Sequence, residues 1–224
     1  SILDKFDERD VAPGRIGYGE VCVTDRFVGY KKIKFKTGEN IGYGELNLPE
    51  LDLHTTSYWL ELPSDNFPTL SADPERWARI VAGLAEVMKT AASLKLMCDP
   101  RDLQLTIGSL AEDRWLSHGF DGLTLRDRDG TSHSFEAAPD PQLGMIGPVL
   151  YDPTIFIYDK FPGGVGFGEG LFDEQRPFMR LSLDLLQKCA CEHGCPSCVG
   201  PPEPGRSDIK SGVLELIGRL AFVN

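Results

Sequence analysis

The sequence predicts an α+β fold (mixed α/β): a single domain with a mixed, largely antiparallel sheet packed by helices and a C-terminal four-cysteine metal loop. Three observations predict it. Short β-rich runs recur between residue 19 and residue 159, and helical periodicity is confined to 74–93 and the C-terminal third. The four cysteines Cys189, Cys191, Cys195 and Cys198 then fall within ten residues. Strands and helices that occupy separate stretches favour α+β layers. No internal repeat and no interior linker divides the chain. Residues 1–17 are polar and read as a lead-in or linker, which leaves 18–224 as the domain.

The elements follow in order. Glu20–Thr24 alternates as a strand, and Tyr30–Lys36 alternates again, with Ile33 and Phe35 on one side and Lys32, Lys34 and Lys36 on the other. That pattern predicts a half-buried strand with a basic outer face. Gly42-Tyr43-Gly44 marks a turn, and Leu51–Leu62 is long and rich in β-formers, as a central strand is. Asp73 and Pro74 supply an N-cap and a first helical residue. Trp77, Ile80, Val81, Leu84, Val87, Met88 and Ala91 then recur at helical spacing, which predicts a core-facing helix over 74–93. Leu103–Gly108 alternates as a strand, and residues 119–136 read as an edge hairpin turning at Asp127–Gly130. Residues 137–150 are loop-like. Thr154–Asp159 is almost continuously apolar, as in a strand buried on both faces. The glycine loop Phe161–Gly168 and a helix broken by Pro177 follow it. Phe178, Leu181, Leu185 and Leu186 form a stripe that runs into Cys189. After the stiff Pro201–Gly205 loop, Ser207 caps a last helix that faces inward through Ile209, Val213, Leu216, Ile217 and Leu220.

The cysteine spacing C-x-C-x3-C-x2-C places four soft ligands where one tetrahedral ion can take them. Gly194 and Pro196 permit the sharp turn that folds the second pair over the first. Zn2+ is the expected cofactor and an iron–sulfur cluster the runner-up. His193 reads as a solvated loop residue, and Cys22 and Cys98 read as small buried hydrophobes. Two further surfaces suggest themselves. Tyr30, Lys31, Lys32, Lys34 and Lys36 suit contact with a nucleic-acid backbone, with an aromatic ring to stack a base. The other reading of these lysines is a solubilised sheet edge. Gly163, Gly164 and Gly166 lie between a strand and a helix, where backbone N–H groups can hold an anion, or where a tight turn packs helix on sheet.

Composition bounds the function. The chain has 224 residues, 41% of them hydrophobic, and a net charge of −11. That suffices for one sizeable core, while the acidity disfavours a general binder of phosphate backbones. No run approaches the length of a membrane span and no secretory signal opens the chain, so a reducing, cytoplasmic setting and no membrane partner are expected. The start at Ser-Ile-Leu-Asp reads as that of a piece excised from a longer protein.

The element Ile157-Tyr158-Asp159 followed by Pro162-Gly163-Gly164-Val165-Gly166, together with the cysteine run through Val199-Gly200, resembles the C-terminal zinc-binding domain of MrfA-type DEAD/DEAH-box helicases. Gly29-Tyr30-Lys31-Lys32, Leu48-Pro49-Glu50 to His54-Thr55-Thr56 and Trp59, and Met97-Cys98-Asp99 with Asp102 resemble further segments of it, so the likeness covers roughly 18–220. The resemblance implies a module at the end of a superfamily 2 helicase of DNA repair or processing. It implies zinc on Cys189, Cys191, Cys195 and Cys198, and the upstream helicase core of the same polypeptide as partner, with single-stranded DNA as a second partner. The ATP-hydrolysis motifs are absent from this stretch, so the fragment is expected to be non-catalytic. Two other functions compete. One is a phosphodiesterase or nuclease site at the glycine loop with Asp159, Asp102 and His54 or His118. The other is a protein-docking module without DNA affinity.

Overall fold

The structure, a computed structural model, describes residues 1–27, 29–111, 113–119, 122–133, 135, 152–200 and 208–220. Along these residues run β1 (Ile2–Val11), β2 (Gly14–Asp25), β3 (Gly29–Ile33), β4 (Asn40–Glu45), β5 (Leu51–Glu61), α1 (Pro74–Leu96), β6 (Leu103–Ser109), β7 (Arg114–Gly119), β8 (Gly122–Asp127), β9 (Ser132–His133), β10 (Thr154–Asp159), α2 (Phe167–Asp173), α3 (Gln175–Lys188) and α4 (Ile209–Arg219). Eight strands make one sheet in the order β1-β2-β5-β10-β6-β7-β8-β9. Every pairing in it is antiparallel.

The apolar run of β10 explains its place. All six of its residues are buried, and it lies between β5 and β6. Successive side chains alternate between faces. Ile155 and Ile157 join Tyr58 and Leu60 of β5 in the core shared with the four helices. Phe156 and Tyr158 join Trp59 in a smaller cluster on the opposite face, packed by Val23, Leu53 and Trp115.

Helix α1 begins where expected. The Asp73 carboxylate accepts from the Glu75 and Arg76 amides at 3.1 Å, and Pro74 takes the first position. It runs three residues beyond the predicted end and stops at Met97, whose φ of 52° is left-handed. The predicted stripe of Trp77, Ile80, Val81, Leu84, Val87, Met88 and Ala91 is buried. The break expected at Pro177 falls instead at Glu174, between α2 and α3. Pro177 sits in the first turn of α3, where amides lack intrahelical acceptors and a missing N–H costs nothing.

Residues 1–17, expected as an irregular lead-in, are instead β1, a two-residue turn and the start of β2, hydrogen-bonded as a hairpin at the edge of the sheet. β1 is exposed along nearly its whole length, so it carries no alternation to read. Its charges suit an edge that must not recruit another strand. The 137–150 loop, the Pro201–Gly205 loop and the Ser207 cap lie outside the described residues; α4 is entered from Asp208.

Two glycines are fitted to aromatic rings. Gly17 pairs with Trp59 across β2 and β5, and Gly108 pairs with Trp115 across β6 and β7. A Cβ on Gly17 would stand 2.6 Å from the indole, and one on Gly108 2.4 Å. Each ring lies over the bare backbone opposite it. Gly17→Ala should displace the fully buried Trp59 ring and cost about 2 kcal/mol through over-packing. In thermal unfolding that is a fall in Tm of about 6 °C; an unchanged Tm would refute the fit.

Candidate metal centre and nucleic-acid surface

The C-terminal end of α3 delivers the first cysteine. Phe178, Met179, Leu183 and Leu186 are buried in the core. Cys189 caps the helix, its amide still donating to the Leu185 carbonyl. The chain then turns back on itself. Gly194 takes φ 123°, and a Cβ there would stand 2.6 Å from Val199, so both conformation and space call for glycine. The Cys198 amide donates to the Cys195 carbonyl at 2.9 Å, and the Cys195 amide points at the Cys198 sulfur at 3.3 Å.

The four Sγ atoms all lie within 4.8 Å of one another. Cys189–Cys191 and Cys191–Cys198 are 3.4 Å apart, Cys189–Cys195 3.5 Å and Cys195–Cys198 3.6 Å. A tetrahedral ion with bonds of about 2.3 Å spaces its sulfurs about 3.8 Å apart, so the four thiols fit one ion. In a cluster the thiolates bind different irons, which spreads the sulfurs further. None of the six cysteines is in a disulfide. The sulfurs share protons unequally. Desolvation pushes the Cys191 thiol up, but hydrogen bonds from the other three sulfurs and the Gly194 backbone outweigh it and bring Cys191 down to about 7. Burial and the bond to Cys191 push Cys198 up to about 12. A cation among them removes that conflict by favouring all four thiolates.

The loop is anchored from both sides. Cys198 is 2% exposed and belongs to the main core. Val199 and Val213 stand against Gly83 of α1. Lys210 of α4, which no pattern in the sequence sets apart, is buried, and its Nζ donates to the Cys189 and Cys191 carbonyls at 2.7 and 2.6 Å. His193 is exposed beside Glu192. Cys22 and Cys98 are half-buried, and burial followed by the nearby Asp102 carboxylate raises the Cys98 thiol.

The family model for the MrfA Zn-binding domain matches residues 84–199, just over half of the chain. The chain belongs to the MrfA Zn-binding domain family. The ATP-dependent helicase YprA of Bacillus subtilis (strain 168) is 28% identical over 219 residues, 98% of this chain and 24% of its own length. A solved structure of the DUF1998 helicase MrfA bound to DNA superposes with a TM-score of 0.65 at 26% identity, covering 97% of this chain and 24% of that one. A second MrfA structure, at 20% identity and TM-score 0.52, shares the fold. The chain therefore spans about a quarter of the length of these relatives.

The domain carries two more of the predicted sites, and the structure revises the local setting expected for each. Tyr30–Lys36 is not a half-buried strand of the main sheet. β3 ends at Ile33 and, among the described residues, pairs only with β4, as a separate two-stranded arm, while Phe35 and Lys36 lie in its turn. Ile33 is 58% exposed and Phe35 fully exposed. The edge reading of the lysines is compatible with this, because each strand of a two-stranded arm is an edge. Alternation reports two faces; it does not report whether a layer covers one of them. The arm does bring together Tyr30, Lys31, Lys32, Lys34 and Lys36, all exposed, with Lys32 Nζ 5.7 Å from the Tyr30 ring centre. The Tyr30 ring lies over Gly44 opposite it.

The loop at Gly163, Gly164 and Gly166 holds an anion, but the anion is the chain's own. Asp159 Oδ2 accepts from the Val165 amide at 2.5 Å, the Gly166 amide at 3.2 Å and Thr56 Oγ1 at 3.1 Å. The Gly163 amide donates to the His54 carbonyl and the Gly164 amide to the Phe161 carbonyl. The amides of Gly163, Gly164, Val165 and Gly166 are thus all engaged within the chain. Asp159 is fully buried and His54 exposed, so they present no joint catalytic pair; the His118 side chain lies outside the described residues. On the helix-free face a cleft of about 510 Å³ opens over Phe156 and Tyr158, but five carboxylates line it against three arginines, which does not suit a phosphate backbone.

Proposed function

We propose that this domain is a zinc-carrying, non-catalytic C-terminal part of an ATP-dependent DNA helicase. Cys189, Cys191, Cys195 and Cys198 hold one structural Zn2+ that braces α3 and α4 against the rest of the fold. The four-sulfur cluster at the junction of those helices carries the reading. A closed four-thiolate site has no open position for substrate, so the ion contributes folding energy rather than chemistry. Membership of the MrfA Zn-binding domain family and the likeness to a helicase bound to DNA support a place beside a helicase core in one polypeptide; work in the cytoplasm on DNA under repair or processing is part of the same proposal. Among the described residues no helix is long and apolar enough to cross a membrane.

Single-stranded DNA is proposed to run along the β3–β4 arm, its phosphates beside the lysines and a base on Tyr30. The test is fluorescence anisotropy with a labelled oligonucleotide across a salt series. Changing Lys32, Lys34 and Lys36 to Glu should weaken binding at least about tenfold and reduce the log–log salt slope by about 2, at roughly 0.7 per phosphate contact. An unchanged affinity would move the arm to the second reading, a protein-docking element. That reading draws on the exposed Ile33, Phe35 and Ile41.

A further inference from the structure

We infer that Lys210 is the counter-charge and clamp of the metal loop, so that α4 controls how firmly the ion is held. This rests on the metal reading above and goes one step beyond the four ligands.

Three features of Lys210 conflict with an ordinary helical lysine. It is 7% exposed, although a buried ammonium is costly unless its charge is answered. It lies in the first turn of α4, the positive end of that helix's own dipole, where a cation is disfavoured. Among the described residues no carboxylate stands at ion-pair distance from it. Its only hydrogen-bond acceptors there are the Cys189 and Cys191 carbonyls, at 2.7 and 2.6 Å, both belonging to proposed ligands.

The loop supplies what the lysine lacks. Four thiolates around one divalent cation carry a net charge of −2. Cys189 adds to this by sitting at the C-terminal, negative end of α3. One buried ammonium that binds the carbonyls of Cys189 and Cys191 offsets part of that charge. It also fixes the C-x-C turn that aims both sulfurs. A group that orients ligands from behind typically changes metal affinity about 10- to 100-fold when removed. α4 is itself held to α1, through Arg76 with Asp208 at 2.6 Å and through Gly212 against Ile80. The ammonium is thus delivered by a docked helix, and undocking α4 withdraws it from the ion.

The experiment follows zinc transfer from the loaded chain to a chromophoric chelator at 25 °C, well below unfolding. Lys210→Met keeps the apolar stem and volume but removes the charge and the donors; it should speed transfer about tenfold or more. Lys210→Arg keeps a cation and donors and should recover part of the wild-type rate. Gly17→Ala disturbs the Trp59 ring on the opposite face of the sheet and touches neither α4 nor the loop; it should lower the Tm and leave the transfer rate near wild type. A wild-type rate in Lys210→Met, with zinc present in both proteins, would overturn the clamp and leave the metal site intact. Absence of zinc from the wild type would instead overturn the metal reading itself.

Discussion

Cys195→Ser should lose the metal and lower the Tm by about 10 °C or more. The magnitude follows from where the loop sits. Cys189 ends α3, Cys198 is in the main core, and Val199 packs with Val213 against α1. One sulfur removed leaves three thiolates that the remaining chain must either protonate or expose. In small zinc domains the ion supplies about 10–16 kcal/mol of folding energy. Here the main core persists without it, so the loss is confined to the elements the ion ties together. Circular dichroism should keep the sheet signal, while limited proteolysis opens new cuts between residues 189 and 220. Chelation of the wild-type chain should reproduce the same pattern. An unchanged Tm after metal removal verified by analysis would refute a structural role.

Asp159→Ala should cost about 3 kcal/mol, which is a fall in Tm of roughly 9 °C. The carboxylate is fully buried at the end of the central strand. Three donors converge on its Oδ2: the Val165 and Gly166 amides and the Thr56 hydroxyl. Truncation leaves all three part-buried donors without their acceptor, and hydrogen bonds to a charged group are the costly kind to lose. Gly164 cannot relax to compensate, because it has φ 74° and lies hard against the Thr56 side chain. Hydrogen exchange should therefore quicken at the Val165 and Gly166 amides and along the start of α2. Unaltered exchange at these amides would show that the loop does not depend on the carboxylate.

These two residues show what sequence can and cannot reveal. The cysteine spacing announces its chemistry because ligand type and proximity are both written in the chain. β10 and α1 were legible for a similar reason: continuous apolarity and 3.6-residue periodicity report burial directly. β1 was not, since a paired but exposed edge strand carries no burial pattern. The glycine loop gave the right chemistry and the wrong ligand. Strand, glycines and helix do build an anion nest, but whether an outside anion or Asp159 fills it depends on a side chain turning back over seven residues. The arm failed differently: the alternation of Ile33 and Phe35 was real, and nothing local says that no layer lies beneath them. Lys210 was invisible, because its partners are carbonyls 19 and 21 residues upstream.

The central claim is a single structural zinc on four thiolates. Elemental analysis of the purified chain together with its visible spectrum tests it most directly. One zinc per chain and a colourless solution are the predicted result. Iron in the sample with a broad visible band would contradict it and make the loop an iron–sulfur site.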